Sequence, residues 1–389
     1  MNRIYLDNSA TTALSVAAKE KMLQAMEIYG NPSSLHSMGQ EAHALIEEAR
    51  AKVARSLGFR SSLPAGQLLF TSCGSEADNL AVLGCAYAKA RRRGGCVVTT
   101  DSEHPGVMRA MEALEGDGFH VVRIPTVGGV LDFDMYAKAL ERKPFLVSIM
   151  AVNNETGALY DLGRAFAMAK AADPDTVTHT DAVQAYLKCR LSPVALGADL
   201  VTLSGHKIHA PKGVGALYVS EDAKRRRDIV PTLLGGGQEF GFRSGTENVI
   251  GIAAFGAAAE DGFLHLGERV THMSELLRYA EERLSSLDVR FHIPKGERAP
   301  HILNFALPDI KSETALHALS SHGIFVSSGS ACSSHSKSVS SSLLALGVSQ
   351  SEAECSLRMS LSHENTREDI DALADALGEV IGGLVKIHR

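Results

Sequence analysis

The run Leu200-Val201-Thr202-Leu203-Ser204-Gly205-His206-Lys207 passes from an apolar strand pattern into small polar residues and then offers one lysine beside an imidazole. An amine at the end of a buried strand loses hydration, which favours its neutral form and lets it condense with an aldehyde. Alone the signal is weak, because most lysines are solvated. Other strand-like runs end in matching chemistry. Val97 to Thr100 leads to Glu103-His104, Ile149 to Val152 leads to Asn153-Asn154, and Val177 to Thr180 leads to Asp181-Ala182-Val183-Gln184. After Leu68 to Thr71 stands Ser72-Cys73-Gly74-Ser75-Glu76, a small-residue turn opening a helix, where free N–H groups and the helix dipole suit a phosphate.

Such strand ends suit an aldehyde on a phosphorylated nitrogen heterocycle. The carboxylate of Asp181 would keep a pyridinium nitrogen protonated, and His104 would stack on the ring and move protons. Asn154 and Gln184 would bond a phenolic oxygen. The ordinary alternatives are an N-cap for Asp181 and a purely structural imidazole at His104.

The elements that must position these residues alternate. Seven apolar strand segments are expected at Gln67–Thr71, Cys96–Thr100, His120–Ile124, Leu146–Val152, Thr176–Thr180, Asp199–Leu203 and Gly215–Val219. Helical patterns lie between them, as in Glu41–Leu57 with Leu45, Ile46, Ala49, Val53 and Leu57, and in Ser75–Ala90. This predicts an α/β fold with a mainly parallel seven-stranded sheet covered on both faces, whose ligands sit at the carboxyl ends of the strands. From about Phe255 the pattern changes to an amphipathic stretch (Ser274–Ser286), short strands near Ile302–Phe305 and Leu357–Leu361, and a last helix over Arg367–Lys386. The expected division is a large domain over residues 15–255, and a smaller α+β domain made of residues 1–14 plus 256–389.

A chain of 389 residues is long enough for two such units. The formal charge of −6, with only short basic runs at Arg91–Arg93 and Lys224–Arg227, gives no nucleic-acid or anionic-membrane surface. No membrane span or signal-peptide core is legible, so the expected compartment is the cytoplasm. Six scattered cysteines without a C-x-x-C pair argue against a structural metal and against a disulfide scaffold. Residues Ser327 to Ser342 hold ten serines in sixteen residues, with Cys332 among them, and such a stretch is expected to be a mobile loop that can move its thiol.

These blocks, taken in order, resemble the cysteine desulfurases of the class V branch of fold-type I pyridoxal-phosphate enzymes. The likeness runs through Tyr5–Thr12, Gly30–His36, Phe70–Asn79, Glu103-His104, Val152–Gly157, Asp181–Gln184, Ser204–Lys207, Arg243–Thr246 and Ser327–Cys332. It implies pyridoxal 5'-phosphate as cofactor, held covalently by Lys207, with Asp181 on the pyridine nitrogen, His104 on the ring and Gln184 on the phenolic oxygen. Gly74, Ser75, Ser204 and His206 would bind the phosphate, joined by Thr246 from the second subunit of a homodimer. Asn8, His36, Asn154 and Arg358 would line the substrate region, with Arg358 on the substrate carboxylate. Cys332 would take sulfur from L-cysteine as a persulfide, leave L-alanine, and pass the sulfur to an acceptor protein of iron-sulfur or thiolation chemistry.

Three departures accompany the likeness. Cys73 stands where the family usually has a small residue, the stretch after Cys332 lacks the usual proline and acid, and a C-terminal scaffold-docking extension is expected to be short or absent. A selenocysteine lyase or another class V aminotransferase is the enzymatic alternative, and a catalytically silent fold serving as a binding module is the other. Retention of Lys207, Asp181 and Cys332 weighs against the silent module, and Cys332 weighs against the aminotransferase.

Overall fold

A computed structural model describes residues 3–60, 63–88, 94–328 and 340–383. In chain order the strands are β1 (Ile4–Tyr5), β2 (Leu68–Thr71), β3 (Cys96–Thr100), β4 (His120–Ile124), β5 (Leu146–Ser148), β6 (Val177–Asp181), β7 (Leu200–Ser204) and β8 (Gly215–Val219). Strands β2 to β8 form one sheet in the order β2-β8-β7-β6-β5-β3-β4. Every pairing is parallel except those of β8, which is antiparallel to both β2 and β7.

Apolar residues at successive positions explain why both faces are covered. Side chains alternate across a strand, so Phe70, Val98, Val147, Val201 and Ala216 enter one core while Leu69, Val97, Leu146, Leu200 and Leu217 enter the other. On the first face lie helices Ser37–Ser56 and Val249–Leu264, through Ile46, Val53 and Phe255. On the second lie helices Gly74–Ala88 and Pro105–Gly116, through Leu80, Val107 and Met111.

The expected strand at 146–152 is shorter, since β5 closes at Ser148. Beyond it the Ile149 and Ala151 amides still reach β6 carbonyls, but the Met150 amide turns to the Glu103 carboxylate at 2.9 Å, which bends the chain at the strand end.

The remaining strands are β9 (Arg290–Phe291), β10 (Ile302–Ala306), β11 (Ile324–Phe325) and β12 (Ser356–Ser360). Strands β9, β10 and β12 form an antiparallel sheet, and a third core gathers Leu276, Leu277, Phe305, Leu357, Leu373 and Leu377. The start of the chain joins this part: β1 pairs with β11, Asp7 bridges Ser360, and Leu6 packs in the third core. The helix expected at 274–286 begins earlier and spans Leu266–Leu284, and the last helix spans Arg367–Gly383. No single helix among the described residues is long and apolar enough to cross a membrane.

The antiparallel placement of β8 serves the site. It brings Gly215 opposite both Thr71 and Ser204, at the edge where β2 to β7 end. A Cβ at Gly215 would lie 2.7 Å from the Cys73 carbonyl carbon, so only glycine lets the turn before helix Gly74–Ala88 settle against this edge.

Candidate active site

A cavity of about 180 Å³ opens at that edge, lined among others by Ser9, Gly74, His104, Asp181, Lys207 and Arg358. Lys207 closes a short 3-10 turn, Gly205–Lys207, directly after β7. Its Nζ donates to the Ser9 carbonyl at 2.5 Å and the Ala10 carbonyl at 2.9 Å. Both acceptors are backbone oxygens of the segment after β1.

Asp181 is the last residue of β6. One carboxylate oxygen accepts the Val183 amide at 2.9 Å, and the other has no donor among the described residues. Turns follow, with no helix, so the N-cap alternative does not apply. Burial pushes the Asp181 carboxyl above its ordinary value, while the adjoining His104 ring N–H, the Val183 amide and the Lys207 ammonium pull it back. His104 is itself the N-cap of helix Pro105–Gly116, its Nδ1 accepting the Gly106 amide at 3.1 Å. Burial lowers its basicity, so the ring is neutral with the proton on Nε2.

The phosphate corner is built from small residues. Helix Gly74–Ala88 starts at Gly74, whose added Cβ would meet Val183 Cγ2 at 2.9 Å, so the helix start lies against the Asp181 turn. The hydroxyls of Ser75 and Ser204 line the cavity and have no hydrogen-bond partner among the described residues. His206 Nδ1 pairs with Thr11 Oγ1 at 3.2 Å, and burial together with nearby lysines lowers its pKa to about 4. Free N–H groups, two unpaired hydroxyls and an imidazole make an anion cradle.

At the opposite corner Arg358, on β12, is buried at 1 % exposure. It donates to Asp7 Oδ1 and to the Asn154 carbonyl, each at 2.8 Å, and its Nε has no partner. Asn154 stands in a turn shaped by Asn153, whose Oδ1 accepts the Glu155 and Thr156 amides at 3.0 and 2.9 Å. Gln184 Nε2 donates to the Ser9 carbonyl at 2.9 Å, and its Oε1 faces Lys188 Nζ at 3.3 Å.

The structure therefore gathers Gly74, Ser75, His104, Asn154, Asp181, Gln184, Ser204, His206, Lys207 and Arg358 around one cavity. Asn8, His36 and Thr246 are not in its lining. The Asn8 amide instead ties the chain start to Ser360 and Asn365, His36 caps helix Ser37–Ser56, and Thr246 is exposed. Cys332 lies outside the described residues.

Sequence reasoning missed several groups. Ser9 and Ala10 act through carbonyls, which leave no trace in residue type. Asp78 and Glu103 are buried acids behind Asp181. Metal-ligand-type atoms of Asp78, His104 and Asp181 lie within 4.8 Å of one another. One Asp78 oxygen is unpaired and 3.8 Å from His179, and burial together with the Asp181 charge pushes this carboxyl far up. Burial lifts Glu103 to about 8. The legible signal was an aspartate, with Asn79 beside it, leading into the apolar Leu80–Leu83 run of a core helix.

A lysine, a carboxylate and an imidazole at the strand ends of this mainly parallel sheet, beside a glycine-opened helix, define a fold-type I α/β transferase. The chain belongs to the aminotransferase class-V family, which it matches over residues 4–373. A cysteine desulfurase IscS of Dictyoglomus turgidum is 38% identical over 97% of this chain and 94% of that protein. A cysteine desulfurase of Trichormus azollae is 37% identical over 98% and 93%. Among solved structures, a NifS-like protein superposes with a TM-score of 0.91 at 35% identity, covering 98% of this chain and 100% of that one. A protein described as SspA in complex with cysteine gives a TM-score of 0.79 at 30% identity, covering 94% and 100%.

Proposed function

We propose that this chain is a cysteine desulfurase that uses pyridoxal 5'-phosphate to turn L-cysteine into L-alanine, with the sulfur leaving as a persulfide on Cys332. The observation that carries the reading is the single cavity in which Lys207, the half-free Asp181 carboxylate and neutral His104 stand beside an unpaired serine and glycine corner. The donor set fits the cofactor: an amine for its aldehyde, a carboxylate for its ring nitrogen, and unpaired hydroxyls for its phosphate. Full-length likeness to proteins named cysteine desulfurase supports the same reading.

When bound, pyridoxal phosphate supplies an electron-accepting ring that stabilises negative charge at the substrate α-carbon. Asp181 keeps the ring nitrogen charged, and its burial strengthens that pairing. His104 covers the ring and excludes water, donating from Nε2. Arg358, which lines the cavity, would pair with the substrate carboxylate, with Asp7 holding the guanidinium in place. Lys207 would hold the aldehyde when no substrate is bound, and its Nζ would be the base for the substrate α-proton. The Cys332 thiolate attacks the substrate sulfur; an S–S bond forms, the C–S bond breaks, and the β-carbon takes up a proton to give alanine.

The proposal includes a homodimer in which Thr246 of each chain completes the other's phosphate corner, and an acceptor protein of iron-sulfur or thiolation chemistry. A reducing cytoplasm fits cysteines held outside any disulfide, as Cys73, Cys85, Cys96, Cys189 and Cys355 are.

The test is to incubate the yellow holoenzyme with L-cysteine and weigh its peptides. One added sulfur is expected on the peptide holding Cys332 in the native protein, none in Cys332→Ala, and no cofactor colour in Lys207→Ala. Alanine formed by Cys332→Ala at the native rate would refute the thiol's role, and a colourless native protein would refute the cofactor.

A further inference from the structure

A second cavity, of about 30 Å³, shares Lys207 with the first and is lined also by Thr12, Lys188, His209, Arg269, Ser362 and His363. No acidic side chain is in its lining. Of the lining cations, Arg269 is paired with a carboxylate, donating to Asp261 at 2.8 Å.

Donors around this space outnumber acceptors. Lys188 is 6% exposed, and its ammonium has one acceptor among the described residues, Gln184 Oε1 at a long 3.3 Å. An ammonium carries three N–H groups. The Ser362 hydroxyl accepts the Glu364 amide at 3.3 Å and donates to no described group. The His363 ring makes no hydrogen bond among the described residues and packs edge-on against His209 at 4.6 Å. The surrounding charge makes matters worse for Lys188. Burial, Lys207 and Arg358 lower its pKa to about 7, against a smaller opposing pull from the Cys189 thiol.

A buried cation without a counter-charge is unstable, and a void beside it that holds roughly one or two water-sized groups is where a counter-charge would sit. The way in is also present. Arg269 and His363 belong both to this cavity and to an outer groove with His265, Glu268, His272 and Glu275. We propose that the cavity is a binding site for one small inorganic monoanion of the halide class, held by Lys188 together with Ser362 and Arg269. The cavity adjoins the first through Lys207, but anion binding there does not depend on the sulfur chemistry.

Bromide is the probe. Crystals of the holoenzyme grown with sodium bromide are expected to give one anomalous peak within hydrogen-bond reach of Lys188 Nζ. In solution the melting temperature should rise saturably with bromide replacing gluconate at fixed ionic strength, because a ligand of the native state stabilises it by mass action. In Lys188→Met the peak should vanish and the bromide affinity fall at least about tenfold, the loss of one charge-assisted hydrogen bond. Ser362→Ala, which keeps the lysine, should weaken bromide without removing it, and serves if Lys188→Met does not fold. A peak-free cavity holding water alone, or equal bromide dependence in native protein and both variants, would overturn the proposal.

Discussion

Lys207 Nζ donates to two backbone carbonyls of the segment after β1, while Asp181 and His104 are fixed by turn and cap bonds made with their own neighbours. Each side chain thus does two jobs, one for the local fold and one for the cavity. The acids behind Asp181 do not share this economy. Glu103 accepts the Thr100 hydroxyl at 2.8 Å and the Met150 amide at 2.9 Å through one oxygen, while the other is unpaired. Its pKa moves from 4.5 to about 8, so the folded protein keeps a proton that the unfolded chain gives up. Stability from this group is therefore full below pH 4.5 and lost as pH rises towards 8. In Glu103→Gln that loss is absent, so urea unfolding of native and variant should diverge in the variant's favour from pH 5 to 8, by roughly 1 kcal/mol per pH unit at most. Parallel pH profiles would contradict this. Residues such as Lys207 and Asp181 were legible because each follows an apolar run. Asp78 and Glu103 were harder to find, because their burial is decided by partners distant in sequence.

Helices and strands carry the site by where they stop. Six strands end at one edge and the reversed β8 begins there, which is why polar residues after apolar runs converge. That much followed from the sequence pattern: the seven segments form one mainly parallel sheet, β6 and β7 each running one residue further than expected and β5 stopping short at Ser148, where the Met150 amide turns to Glu103. The reversal of β8 left no mark in periodicity, since an antiparallel strand buried on both faces reads like a parallel one. Helix Val249–Leu264 offers a test of packing. A Cβ at Gly256 would meet Ala49 Cα at 2.5 Å and Cβ at 2.7 Å on helix Ser37–Ser56. Neither atom can swing away, so Gly256→Val should cost roughly 1–3 kcal/mol by denaturant unfolding. Gly267, with nothing within 4 Å on the next helix, is the contrast. Gly267→Ala should stabilise by up to about 1 kcal/mol, and equal effects at the two positions would contradict this account of the helix contact.

At the scale of the molecule, Asn8, His36 and Thr246 came from family likeness, and none lines the cavity of its own chain. For Thr246 the proposed homodimer accounts for this, since a two-fold partner can supply what one chain lacks. Mixing two inactive proteins tests it. If Lys207→Ala and Thr246→Asp subunits are unfolded and refolded together, half of the dimers are mixed and each regains one intact site, so roughly a quarter of native activity should return. No recovery would place Thr246 outside the neighbouring site. The β1 segment binds the molecule together in another way. Asn8 donates to the Ser360 carbonyl across 352 residues, Asp7 holds Arg358, and the next two carbonyls hold Lys207. During translation this segment leaves the ribosome well before its partners on β12 are made, roughly half a minute earlier at ordinary elongation speeds. A nascent chain therefore carries its reactive lysine without the clasp that seats it, and a truncated product lacking β12 never acquires that clasp.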